Sequence, residues 1–278
     1  MSVIEFLSYA FVQKALIAGA LIAVITAVLG VFLVLKRLSL IGDSLSHVAL
    51  SGIALGLITN TSPVFMAIPV VMLSSLGIYK ISASAKVHSD SALGIIAAGG
   101  ISFGLIIAAL AGGFNVDLLS FLFGSILTVN SAELILAAVL TLTILTLVYL
   151  FYNDLIAITF DENFAKTAGV NTERINILLV LISAAAVVIA LKVVGIMLVS
   201  AMIIIPPTAA LQLAKTFKRA LVLASLFSIT GVITGIYLAF IFNMPSGAMI
   251  ILTDIFILFI TVILRNYAFK KRRTADTD

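Results

Sequence analysis

The sequence predicts an all-α fold, a polytopic membrane bundle of about nine transmembrane helices, on three observations. Hydrophobic residues make up 63% of the 278-residue chain and charged residues only 10%, and the mean hydropathy is +1.31. Soluble domains carry roughly a quarter charged residues, so a soluble globular fold is excluded. The apolar residues run in long continuous blocks, such as Ala15 to Leu35, rather than in the ~10-residue alternating stretches of an outer-membrane barrel. At ~20 apolar residues per crossing, the chain accommodates roughly eight to ten helices and no separate soluble domain. Residues 1–278 thus read as one membrane domain, with 270–278 a disordered cytoplasmic tail.

Taken in order, hydropathy marks segments at 15–35, 38–58, 63–79, 92–111, 132–151, 175–191, 193–205, 220–242 and 248–264. The first is long, has no basic leader and shows no small-residue cleavage pattern, so it reads as a retained helix. The seventh is short for a full span and reads as either a crossing or a half-helix. Cytoplasmic loops collect lysine and arginine. With the tail Lys270, Lys271, Arg272 and Arg273 inside and sides alternating backward through nine crossings, only Lys14 and Lys192 of the 16 basic residues fall outside. Eight or ten crossings would put the first or last basic groups on the wrong side. The predicted topology is N-terminus out, C-terminus in.

Three connections stand out. The outer loop 112–131 is partly apolar and suggests a short helix lying in or dipping toward the membrane. The inner stretch 154–174 is polar and helix-competent, and 206–219 reads as a cytoplasmic, basic loop.

Asp43 and His47 interrupt the apolar block 38–58. Four residues apart on a helix, they share one face with β-carbons ~5–6 Å apart, near enough to hold one cation together. Ionisable groups inside a membrane cost about 2.5–3.5 kcal/mol each on insertion scales and mark functional sites. Imidazole nitrogen with carboxylate oxygen suits zinc or manganese rather than calcium or magnesium. The alternative is that Asp43 caps the helix near Lys36 and Arg37 while His47 is hydrogen-bonded within the bundle. Two ligands do not complete a zinc site, which normally has four. Gly52 and Gly56 have the small-xxx-small spacing of closely packed helices, with a pore lining as the other reading. Asp254, in the last segment, is a second intramembrane acid or an internally bonded one; Asn115, Asp117 and Glu133 on the outer side are weak candidates for attracting cations.

There is no cysteine, so thiolate ligands and disulfides are excluded. The net charge of +4 belongs to inner loops and does not indicate a nucleic-acid partner. The chain has no GxxxxGK[ST] phosphate loop, no HExxH and no GxSxG, and the other histidine, His88, falls in an inner loop. It is therefore no enzyme by these routes, and ATP-driven work would need an ATPase on another polypeptide.

The stretches LKRLSLIGDSLSHVALSGIALG (35–56), TFDENFAKTAGV (159–170), VVGIMLVSAMIIIPPTAALQLA (193–214) and NMPSGAMIIL (243–252) together resemble the membrane permease of bacterial ABC importers for zinc and manganese. The resemblance covers nearly the whole chain, and its most specific element is G-D-x-x-S-H, Gly42 to His47. It implies a fold similar to the cobalamin and siderophore permeases and a homodimer with the metal passing between the copies. It further implies a cytoplasmic ATPase dimer that binds the ATP and an extracytoplasmic metal-binding protein. No cofactor is implied on this chain; zinc, or next manganese, is cargo. Asp43 and His47 correspond to the metal-contacting pair. By the same likeness Pro206, Pro207, Ala209 and Leu213 lie in the loop that docks the ATPase. The stretch Asp161 to Gly169, with Glu162, supports that interface or forms a stabilising interfacial helix. Pro206-Pro207 departs from the family's pattern of one proline followed by small residues.

The functional expectation is import of a divalent transition metal, zinc favoured, by alternating access driven by partner ATPases. An organic-ligand ABC permease is the nearest rival, although the absence of tryptophan argues against a pocket for a large ligand. A self-contained proton-coupled transporter using Asp43, His47 and Asp254 is the other.

Overall fold

The computed structural model describes residues 8–84, 89–110, 121–122, 124, 130–196 and 198–275. Its helices are α1 (Ala10–Leu35), α2 (Ile41–Ile58), α3 (Pro63–Ser84), α4 (Ser89–Leu110), α5 (Ser131–Leu150), α6 (Tyr152–Phe160), α7 (Glu162–Thr167), α8 (Thr172–Val194), α9 (Val199–Leu213), α10 (Phe217–Phe242) and α11 (Ser246–Ala275). No strand occurs among the described residues. Eight of these helices are long and apolar enough to span a bilayer, and α9 is a shorter apolar one. Each expected segment has its helix, and the outer loop 112–131 lies almost wholly outside the described residues.

The interior of the bundle is built by α1, α2 and α8, and the other long helices form its outer layer. Outer-layer side chains such as Leu73, Phe103, Leu142 and Phe256 are exposed, as apolar residues facing lipid tails are. Phe32, Leu29 and Leu33 of α1 and Ile41, Leu45 and Ile53 of α2 are fully buried in one continuous core, α1 packing chiefly on α10 and α9 and α2 on α4 and α3.

Contacts sort the helix ends into two groups. At one end Phe217 packs against Phe32 of α1 at 5.1 Å between ring centroids, and against Tyr152 at 6.1 Å. Lys36 bonds to α6, α7 and α8 at this same end. At the opposite end Lys14 donates to Ser131 at 3.0 Å and Tyr9 meets Phe240 at 6.5 Å. This is the alternation that nine passes require.

Two expectations are corrected. The seventh segment is displaced from 193–205 to Val199–Leu213. Gly195, at φ +91°, ends α8, and α9 then continues through Pro206 and Pro207, which read as a loop start. Gly30 of α1 lies against the Ile203 carbonyl and the Pro207 ring, where no β-carbon would fit, so α1 seats α9 at the turn that lacks two N–H donors. The final helix also carries on through 270–275, where the sequence reads as disordered. Lysine and arginine are good helix formers and are favoured at a helix C-terminus.

Candidate functional site

Asp43 lies in the first turn of α2 and His47 one turn further on. The N-cap position belongs to Leu40, with no side-chain cap bond, so the capping role considered for Asp43 is not the one it takes. Instead Asp43 Oδ2 lies 3.5 Å from His47 Nε2, with 44% of the Asp43 and 26% of the His47 side chain exposed. The pair thus presents carboxylate oxygen and imidazole nitrogen on a partly open face of the chain. Among the described residues no group of three or more His, Cys, Asp or Glu side chains converges anywhere in the chain. At this place the described residues bring together one carboxylate and one imidazole and no third such group.

Close packing holds α2 in register, as its small residues suggest. Gly52 lies on the Ala67 backbone and Gly56 on Pro63, both of α3, while Gly100 and Gly104 of α4 lie on the α2 backbone at Val48 and Leu50–Ser51. The Ser51 hydroxyl donates to the Gly100 carbonyl at 2.7 Å. On another side Gly42 meets Ser200 and Ile203 of α9. Helix α2 is therefore clamped on both sides, with Asp43 and His47 left partly open.

The polar stretch after α5 folds as a helical pair, α6 and α7. Asp161 caps α7 by accepting from the Phe164 N–H at 2.9 Å. Gly169, at φ +89°, closes α7. Its N–H donates to the Lys166 carbonyl at 3.2 Å and that of Val170 to the Ala165 carbonyl at 3.0 Å, the Schellman arrangement that favours glycine. Phe160 and Phe164 are 66% and 67% exposed on this pair.

The expected loop 206–219 is corrected in its secondary structure, most of it being helix. Pro206, Pro207 and Ala209 are buried within α9, and Leu213 is its half-buried last residue. The connection to α10 shrinks to Ala214–Thr216, of which Lys215 and Thr216 are exposed. Proline usually breaks a helix, so sequence reasoning opened a loop where tertiary packing carries the helix through.

One constellation escaped sequence reasoning. Lys36, its side chain 9% exposed, donates to Asn176 Oδ1 at 2.8 Å and to the Ile158 carbonyl at 3.0 Å, and pairs with Glu162 at 3.5 Å. Asn176 in turn donates to Glu162 at 2.8 Å. Burial pulls the pKa of Lys36 down while the Glu162 carboxylate opposes that shift. Beside the cluster lies a cavity of about 300 Å³, lined also by Ile41, Tyr79 and Ser82. In the sequence Lys36 looks like a cytoplasmic charge marker, and the one available signal is Asn176 in an otherwise apolar helix.

Asp254 sits apart from Asp43. It is buried on α11 against Gly231 of α10, and neither carboxylate oxygen has a hydrogen-bond partner among the described residues. The internal hydrogen bond considered for it is therefore not present there. Glu133 serves in a capping box with Asn130 at the start of α5. Asn115, Asp117 and His88 lie outside the described residues.

The chain matches the family described as ABC 3 transport family over residues 8–265. It is 32% identical to the manganese transport system membrane protein MntC of Listeria monocytogenes, covering 96% of each chain. It is 27% identical to the high-affinity zinc uptake system membrane protein ZnuB of Haemophilus influenzae, covering 90% of this chain and 96% of that protein. A chain in the structure of PsaBC from Streptococcus pneumoniae in complex with Fab superposes with a TM-score of 0.84 at 30% identity, covering 94% of this chain and 95% of that one. With the helix order, the G-D-x-x-S-H element and these likenesses in agreement, the chain belongs to the ABC 3 transport family.

Proposed function

We propose that this chain is the membrane permease of an ATP-binding-cassette importer and moves a divalent transition-metal ion, manganese or zinc, into the cytoplasm. The observation that carries this is the Asp43–His47 pair: one oxygen and one nitrogen donor 3.5 Å apart and partly exposed, with no third ligand among the described residues. A second copy of the chain facing the first doubles the set to two carboxylates and two imidazoles, a four-donor set suited to these ions. The ion passes between the copies, and the two pairs replace part of its hydration shell. Imidazole leans toward zinc, whereas the relative named for manganese is 32% identical and the one named for zinc 27%. That order favours manganese as the leading cargo.

The chain carries no phosphate loop, so a partner ATPase dimer binds and hydrolyses ATP. The exposed Phe160 and Phe164 on α6–α7 are the surface on which that ATPase docks, with Asp161 and Gly169 fixing the shape of the pair. This end of the bundle is cytoplasmic and the Lys14 end faces out, where an extracytoplasmic metal-binding protein delivers the ion.

The test is cellular metal content by mass spectrometry in a strain deleted for this chain, grown under metal limitation and complemented with the native form or Asp43→Ala. Loss of manganese or zinc on deletion, restored only by the native form, is the expected result. No change in either metal would sink the metal-import reading in favour of an organic cargo or proton coupling.

A further inference from the structure

The Lys36 cluster joins three parts of the molecule that the proposed mechanism must move together. Lys36 is the C-cap of α1. The turn after it is fixed by the Arg37 N–H on the Val34 carbonyl at 3.1 Å and the Leu38 N–H on the Leu33 carbonyl at 2.8 Å, with Arg37 at φ +60°. The Ile41 N–H then donates to the Leu38 carbonyl at 3.0 Å, and α2 begins. Lys36 and Asp43 are therefore joined by a short, hydrogen-bonded corner with little slack.

On its other side Lys36 holds the helical pair that presents Phe160 and Phe164. An ammonium has three N–H donors. Here they meet the Ile158 carbonyl of α6, Glu162 of α7 and Asn176 of α8. Helix α7 has six residues, too few to bury much apolar surface, so its polar bonds through Glu162 weigh heavily in where it sits. The adjoining cavity of about 300 Å³ leaves the cluster room to shift.

We propose that Lys36, clasped by Glu162 and Asn176, is a positioning residue that transmits displacement of α6–α7 by the ATPase to α2 and its metal-contacting pair. This rests on the import function proposed above. Removing the ammonium leaves the Asn176 and Ile158 acceptors without their donor and disconnects the docking pair from the α1–α2 corner, while the exposed phenyl groups that meet the ATPase remain.

The test uses the full chain co-expressed with its ATPase and reconstituted in liposomes. The variants are Lys36→Met, Lys36→Arg and Glu162→Gln, read out by ATPase co-purification, ATP hydrolysis, and manganese and zinc uptake. Because the chain has no cysteine, a single Leu57→Cys reporter on α2, labelled with a maleimide with and without ATP plus vanadate, follows movement of α2 independently of any cargo.

For Lys36→Met the expected result is native co-purification and hydrolysis with uptake per ATP reduced about tenfold, a coupling loss of ordinary size, and a reporter that no longer responds to ATP. Lys36→Arg, which keeps a multi-donor cation, restores most of both. Unchanged uptake per ATP together with a native reporter response in Lys36→Met overturns the proposal, as does loss of uptake in step with loss of co-purification. If Lys36→Met does not accumulate, Glu162→Gln carries the same two signatures. If the unsubstituted chain moves neither metal but its reporter responds to ATP, the cargo assignment fails and the Lys36 proposal still stands or falls on the reporter. If that chain does not bind the ATPase, both fall.

Discussion

The carboxylate of Asp254 lies so close to the α-carbon of Gly231 that no β-carbon fits between them. Helices α10 and α11 meet at that point, and a second glycine, Gly235, lies 2.5 Å from the Ile250 α-carbon measured from where its β-carbon would be. Gly231→Ala is expected to lower thermal stability in detergent by about 1–3 kcal/mol, the usual penalty for overpacking. Asp254→Ala in the same chain should recover most of that loss, because contacting residues couple. Equal and additive losses in the two single variants and the double variant would show that the two residues do not share the space.

Asp43→Ala and His47→Ala are each expected to reduce metal uptake at least tenfold, since each removes one of the two donors proposed for each copy. Both side chains are partly exposed, so their loss leaves no large cavity, and melting temperature and ATPase co-purification should stay native. Loss of expression in both variants would instead mark the pair as structural.

Phe160 and Phe164 separate the two candidate docking surfaces. Phe160→Ala with Phe164→Ala is expected to abolish ATPase co-purification while lowering the melting temperature only slightly, because both residues are largely exposed and Phe160 makes one edge-on ring contact, with Phe217 at 6.0 Å. Pro207→Ser, inside α9 against Gly30, should shift the melting temperature and leave co-purification intact. The opposite pattern would return the docking surface to 206–219.

Gly169→Ala tests whether the end of α7 matters for coupling. Nothing lies within 4 Å of an added β-carbon, and φ is +89°, so the cost is backbone strain alone, about 1 kcal/mol. A weaker ATPase association with unchanged expression is expected in a pull-down at graded salt. Unchanged association would show that the shape of α7 is not read by the ATPase.

Eight long helices and a ninth short one were legible from composition and hydropathy because a bilayer imposes its thickness on every crossing. The Asp43–His47 pair was legible for a related reason: a spacing of four residues within one helix settles which side chains meet, whatever the rest of the molecule does. The course of α9 through Pro206 and Pro207 was not, since it depends on Gly30 of a different helix supplying a surface without a side chain. Nor was the Lys36 cluster, whose partners Glu162 and Asn176 stand 126 and 140 residues away. Periodicity and local spacing record the demands of the bilayer and of a single helix, whereas pairings between distant helices arise when the bundle packs and leave no periodic trace in the chain.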